Sequence, residues 1–118
     1  MKESKIQKKI IDHIIKDGGD ACKITAPSRR GVPDILALIN GDIYLFEVKV
    51  DEKSKRSVLQ EAFIKKWGAD GKAYFVDGFY GFLGIYDTIY PLSPKQKTEP
   101  QRVDKPIAKW FREKKGQK

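Results

Sequence analysis

Residues 34–50 read Asp-Ile-Leu-Ala-Leu-Ile-Asn-Gly-Asp-Ile-Tyr-Leu-Phe-Glu-Val-Lys-Val. Two runs of aliphatic and aromatic side chains flank Asn40-Gly41, a strong signal for a two-residue type I′ turn. The stretch predicts a hairpin of strands over 34–39 and 42–50. If Asn40 and Gly41 form the loop, Ile39 pairs with Asp42 and Asp34 stands opposite Glu47. If the loop is Gly41-Asp42, Asp34 faces Lys49 and Glu47 lies on the diagonal. Side chains two apart share a face, so both registers put Asp34, Glu47 and Lys49 together. A three-residue loop would break that pairing.

Two acids and a lysine inside the most apolar part of the chain need a chemical reason, because unpaired buried charge is costly. Directly opposed carboxylates have Cβ atoms about 4.5–5.5 Å apart, and like charges there destabilise a sheet. The spacing leaves two readings open. One is a plain carboxylate–Lys49 ion pair at the end of the sheet. The other is a hard divalent cation, which takes oxygen ligands and removes the difficulty of ionising both acids. Such a cation would also polarise a phosphoryl oxygen and lower the pKa of a water.

Outward from the hairpin, Ile6, Ile10, Ile11, Ile14 and Ile15 recur at helical spacing and predict a helix over 3–17, stopped by Gly18-Gly19. A short strand is expected near 21–25, then a basic loop over 26–33. After a charged loop at 51–56, Ser57 opens a helix to about Gly68, with Leu59, Phe63 and Trp67 as its apolar stripe. A strand at 72–77 follows, then a short helix or turn carrying Phe79, Phe82, Leu83 and Tyr86. Pro91, Pro94 and Pro100 mark an extended connection. Asp104 and Pro106 would start a last helix that docks Ile107, Trp110 and Phe111. The order predicts an α/β domain: a small mixed β-sheet flanked by helices.

The segment Arg29-Arg30-Gly31-Val32-Pro33-Asp34, followed by Glu47-Val48-Lys49, resembles the PD-(D/E)XK nuclease signature, and in detail the VRR-Nuc family within it. Glu3 with Ile6-Gln7 is similar to that family's amino-terminal Glu and Ile-Gln pair. Leu59-Gln60 is similar to its helical Gln, and Gly71 before the next strand also fits. The resemblance covers roughly residues 3–77.

It implies a restriction-endonuclease-like core and metal-dependent hydrolysis of DNA phosphodiesters. Asp34, Glu47 and the Val48 backbone carbonyl would hold Mg²⁺ or Mn²⁺, with Glu3 reaching the metal directly or through a water. Lys49 and Gln60 would place the nucleophile. Each supporting residue also has a plainer reading. Glu3 is an acid in a first helical turn, and Gln60 completes a Ser57 capping box. Arg29 and Arg30 suit a phosphate grip, whereas Lys53, Lys55 and Arg56 form a more general electrostatic patch for DNA.

The whole chain bounds these readings. Its 118 residues are expected to form one domain, with a core at 1–92 and a basic extension at 93–118. The extension carries nine Lys/Arg against three Asp/Glu and so supplies most of the net charge of +8, which suits contact with phosphate backbones. No apolar run approaches membrane-span length, and the amino terminus reads as amphipathic rather than as a signal peptide. One cysteine, Cys22, excludes an intrachain disulfide and suits a reducing cytoplasm; it reads as a small core residue. His13 reads as structural.

Family resemblance further implies branched DNA as substrate, in the manner of a Holliday-junction resolvase. Cutting a junction symmetrically needs two active sites, so a homodimer is expected, with the aromatic stretch at 79–90 as its interface. The alternatives are flap or single-strand cleavage, a restriction-type endonuclease, and a non-catalytic basic DNA-binding module.

Overall fold

The computed structural model describes residues 2–89. The expected terminal helix, the docking of Ile107, Trp110 and Phe111, and the basic extension lie outside the described residues.

The hairpin forms with the first of the two registers. β2 (Ile35–Ile39) and β3 (Asp42–Lys49) are antiparallel, with Ile39 opposite Asp42 and Ile35 opposite Phe46. Asn40 and Gly41 both take positive φ, 55° and 87°, as a type I′ turn requires. Asn tolerates that region and Gly adopts it without strain. One residue beyond the ladder, Asp34 falls level with Glu47.

Around the hairpin the chain builds a four-stranded sheet in the order β1-β2-β3-β4. β1 (Asp20–Lys23) pairs antiparallel with β2 at one edge, and β4 (Ala73–Asp77) pairs parallel with β3 at the other. The parallel pair needs a crossover, supplied by α2 (Val58–Trp67). α1 (Glu3–Lys16) precedes the sheet and α3 (Gly78–Ile89) follows it directly from β4.

Strand parity divides the side chains between two unlike faces. Ile35, Ala37, Ile39, Tyr44, Phe46 and Val48 point to one face and meet Ile6, Ile10 and Ile14 of α1 and Phe82 and Tyr86 of α3. This is the hydrophobic core. Leu36, Ile43, Leu45, Glu47 and Lys49 point to the other face, which α2 covers only in part: Leu36 and Ile43 remain exposed.

Several sequence expectations change here. Ile15 is exposed, so the apolar stripe of α1 is narrower than its isoleucine count suggests. Cys22 is exposed on the edge strand rather than buried in the core. The third helix is a full twelve residues, not a short turn. Its Phe82 and Tyr86 are buried against α1 and the sheet, and His13 packs edge-on against Phe79, Phe82 and Tyr86. Those two aromatics are therefore core, and the expected dimer interface at 79–90 loses its main anchors; Tyr90 lies outside the described residues. On α2 only Phe63 is buried, while Leu59 and Trp67 are half-exposed.

Gly31 sets how the basic loop meets α2. Its φ is +90°, and a Cβ there would stand 2.7 Å from the carbonyl oxygen of Leu59. Only glycine lets the loop cross the helix this closely. The crossing places Arg29 and Arg30 beside α2 and delivers Pro33, fully buried, to the start of β2.

Candidate active site

The site lies at the end of β3, where the sheet face turns from apolar to charged. Backbone direction builds its first part. Leu45 N donates to Lys72 O on the β4 side at 2.8 Å. The alternate residues turn their polar groups toward β2, and past the end of β2 the amide of Val48 donates to Asp34 Oδ2 at 3.0 Å instead. The carbonyl of a strand residue points the same way as its amide. Val48 therefore presents its carbonyl oxygen on the edge where Asp34 sits.

Opposite, Glu47 and Lys49 are both buried, at 3% and 7% exposure. Gln60 on α2 joins them. Its Nε2 donates to Glu47 Oε2 at 3.0 Å, and its Oε1 accepts from Lys49 Nζ at 2.9 Å. Lys49 Nζ is 3.7 Å from Glu47 Oε2. Gln60 Oε1 also accepts from the amide of Ser57 at 3.0 Å, while Ser57 Oγ accepts from the amide of Gln60 at 3.1 Å. The capping box and the contacts with Glu47 and Lys49 are thus made by one side chain, so the cap does not exclude a place at the site.

Electrostatics bring Glu3 into the same cluster. Burial, then the charge of Asp34, raises its carboxyl above the usual range, against the opposing pull of Lys49 and Lys23. Glu47 is pushed up to about 7, first by burial and then by Asp34, with Lys49 opposing. In the unfolded chain it would titrate near 4.5. The folded state therefore binds the extra proton. Its contribution to stability is complete below pH 4.5 and is lost as pH rises through about 7. In EDTA, Glu47→Gln should be more stable than the wild type at about pH 8, by about 1–2 kcal/mol after solvent screening. The two should converge near pH 4. Urea denaturation at the two pH values checks the sign.

Asp34, Glu47 and the Val48 carbonyl offer oxygen atoms only, the donor type a hard cation takes. Among the described residues, no three Asp, Glu, His or Cys side chains converge into a ready-made cage. Gln7, beside Glu3 on the same face of α1, is buried with its Oε1 unpaired.

The basic residues divide. Arg29 and Arg30 are exposed next to the site, with the Arg29 guanidinium 5.3 Å from the Phe63 ring. Lys53 and Lys55 are exposed on the loop after β3. Arg56 is instead held at home, 3.3 Å from Asp77 and 4.2 Å over the ring of Phe75. It is the weakest of the five as a phosphate ligand. Sequence reading gave Phe63 and Trp67 as part of an apolar stripe and did not foresee that buried Phe63 and half-exposed Trp67 stack beside the arginines. The signal was Arg29-Arg30 together with aromatics four residues apart on α2.

No family model matches the sequence. A solved structure described as a VRR_NUC domain superposes with a TM-score of 0.66 at 28% identity, over 75% of this chain and 97% of that one. A curated protein of Acyrthosiphon pisum secondary endosymbiont phage 1, named "Putative nuclease p44", is 44% identical over 50 residues. The chain shares the fold of a VRR_NUC domain and is similar in part to a phage protein named as a putative nuclease. The matched segment is 42% of this chain and spans about half the length, 54%, of the curated phage relative. Its four-stranded mixed sheet with three helices is the α/β restriction-endonuclease-like core that the resemblance implied. No helix among the described residues is long and apolar enough to cross a membrane.

Proposed function

We propose that this chain is a metal-dependent endonuclease that hydrolyses phosphodiester bonds in DNA. The observation that carries the reading is the meeting of Asp34, Glu47 and Lys49, with Gln60 bonded to the last two. The match to a VRR_NUC domain and to a protein named as a putative nuclease supports the nuclease part of that reading.

Asp34, Glu47 and the Val48 carbonyl would hold Mg²⁺ or Mn²⁺, and Glu3, which feels the charge of Asp34, would reach the metal directly or through a water. When bound, the cation supplies Lewis-acid polarisation of a phosphoryl oxygen and a water of lowered pKa. Lys49 steadies the attacking water or takes up charge growing on the phosphate oxygens. Gln60 fixes the ammonium on one side and Glu47 on the other, so neither needs to reorganise as the substrate enters. Arg29 and Arg30 hold the flanking phosphates, and Lys53 and Lys55 add a less specific field along the duplex.

For the substrate, we propose branched DNA, with a four-way junction first and a homodimer supplying the second site. Flap or single-strand cleavage is the rival. Incubating the protein with labelled four-way junction, flap, duplex and single strand checks both levels. Cutting is expected with Mg²⁺ or Mn²⁺ and none in EDTA. Cutting in EDTA would defeat the metal reading. A monomer in sedimentation at the assay concentration would defeat the resolvase reading and leave the flap reading. A non-catalytic binding module would cut none of the four, and its melting temperature would not respond to Mn²⁺.

A further inference from the structure

One face of α2 continues beyond the active site. Gln60, Phe63 and Trp67 stand at i, i+3 and i+7, a single stripe on the helix. Phe63 and Trp67 are stacked, with centroids 5.0 Å apart and planes 5° from parallel. Arg29 lies on the Phe63 ring at 5.3 Å, so a cation and two aromatic rings form one layered column. The column ends in solvent: Trp67 is 52% exposed. Beside it is a cavity of about 450 Å³ lined by Arg29, Arg30, Leu59, Phe63, Lys66 and Trp67. Three cations and no carboxylate line this apolar groove.

We infer that the groove takes an unpaired nucleobase of single-stranded DNA next to the bond being cut. The base stacks on Trp67, while Arg30 and Lys66 hold its phosphates. This assignment rests on the nuclease reading and, within it, favours the flap or single-strand substrate over a fully paired four-way junction. Stacking platforms edged by positive charge are how proteins hold single strands without reading sequence. From Gln60 to Trp67 the helix rises about 10 Å, within reach of nucleotides adjoining the one at the metal. A two-fold contact with a second copy fits the groove less well. It would set Arg29, Arg30 and Lys66 against their own counterparts.

The test is equilibrium binding in EDTA, where no cutting competes, using an oligodeoxythymidylate of about twelve nucleotides and a blunt duplex as probes. Trp67→Ala should weaken single-strand binding about tenfold or more with a much smaller effect on the duplex, and Trp67→Phe should restore most of the loss. In a Trp110→Phe protein, otherwise unaltered, the oligonucleotide should quench the fluorescence of Trp67. An unquenched Trp67 would overturn the assignment, as would equal losses on both probes. So would self-association that Trp67→Ala abolishes. The two readings fail separately. Trp67-dependent binding by a protein that never cuts would defeat the nuclease reading alone. Cutting with single-strand binding indifferent to Trp67 would defeat this assignment alone.

Discussion

Asp34→Asn should fold as the wild type does and lose DNA cleavage by about 10³-fold or more, roughly 4 kcal/mol of transition-state stabilisation. Asn is the informative replacement because Asp34 has two jobs. Its Oδ2 accepts from the amide of Val48, which has no strand partner past the end of β2. An Asn side-chain oxygen can keep that bond. Alanine would leave the amide unsatisfied at a cost of about 1–3 kcal/mol, mixing a folding defect with a catalytic one. The charge is what Asn removes, and with it the donor a hard cation needs. Melting with and without Mn²⁺ gives the second readout: the wild type should rise with the metal and Asp34→Asn should rise much less. Full cleavage by this variant would overturn the metal assignment.

Lys49→Met should lose about 10²–10⁴-fold in cleavage, the range for a positioned proton-transfer or charge-stabilising group, while its response to Mn²⁺ persists. The Met side chain keeps the aliphatic stem that packs at this buried position but removes the ammonium. All oxygen donors remain, so the cation should still bind and still raise the melting temperature. Lys49→Arg should not rescue activity, because a planar guanidinium cannot occupy the point between Gln60 Oε1 and Glu47 Oε2 that the ammonium takes. The contrast with Asp34→Asn separates holding the metal from acting on the substrate. A Lys49→Met protein that lost its Mn²⁺ response together with its activity would show that Lys49 shapes the metal site itself.

Much of the fold was legible because Asn40-Gly41 marked the turn. Two registers of β2 and β3 stayed open in the sequence, yet period-two alternation put Asp34, Glu47 and Lys49 on one face in both, and the structure takes the first. Ser57 and Gly68 bracketed α2 for equally local reasons. Periodicity was less useful on whether a face is covered. The stripe Leu59, Phe63 and Trp67 has ordinary core spacing, yet two of its three members are half in solvent, because α2 shields only part of its side of the sheet. The reverse happened at 79–90, where an aromatic stretch read as a surface for a partner turned Phe82 and Tyr86 into the core. Covering is a property of neighbouring elements, and it is not written in the segment covered. The joint role of Gln60 escaped for a different reason. Capping geometry and reach toward β3 were weighed as rivals, whereas the two oxygens and nitrogens of an amide and its backbone serve both at once.

That double use ties local order to chemistry. The first turn of a helix is where fraying starts, and its opening normally costs little outside itself. Here an opened first turn of α2 releases Lys49 and Glu47 in the same event, since the cap and the tether are one side chain. Only the 3.7 Å pairing with Glu47 then remains to Lys49. Helix initiation and the alignment of the buried charges are thus coupled through a single amide.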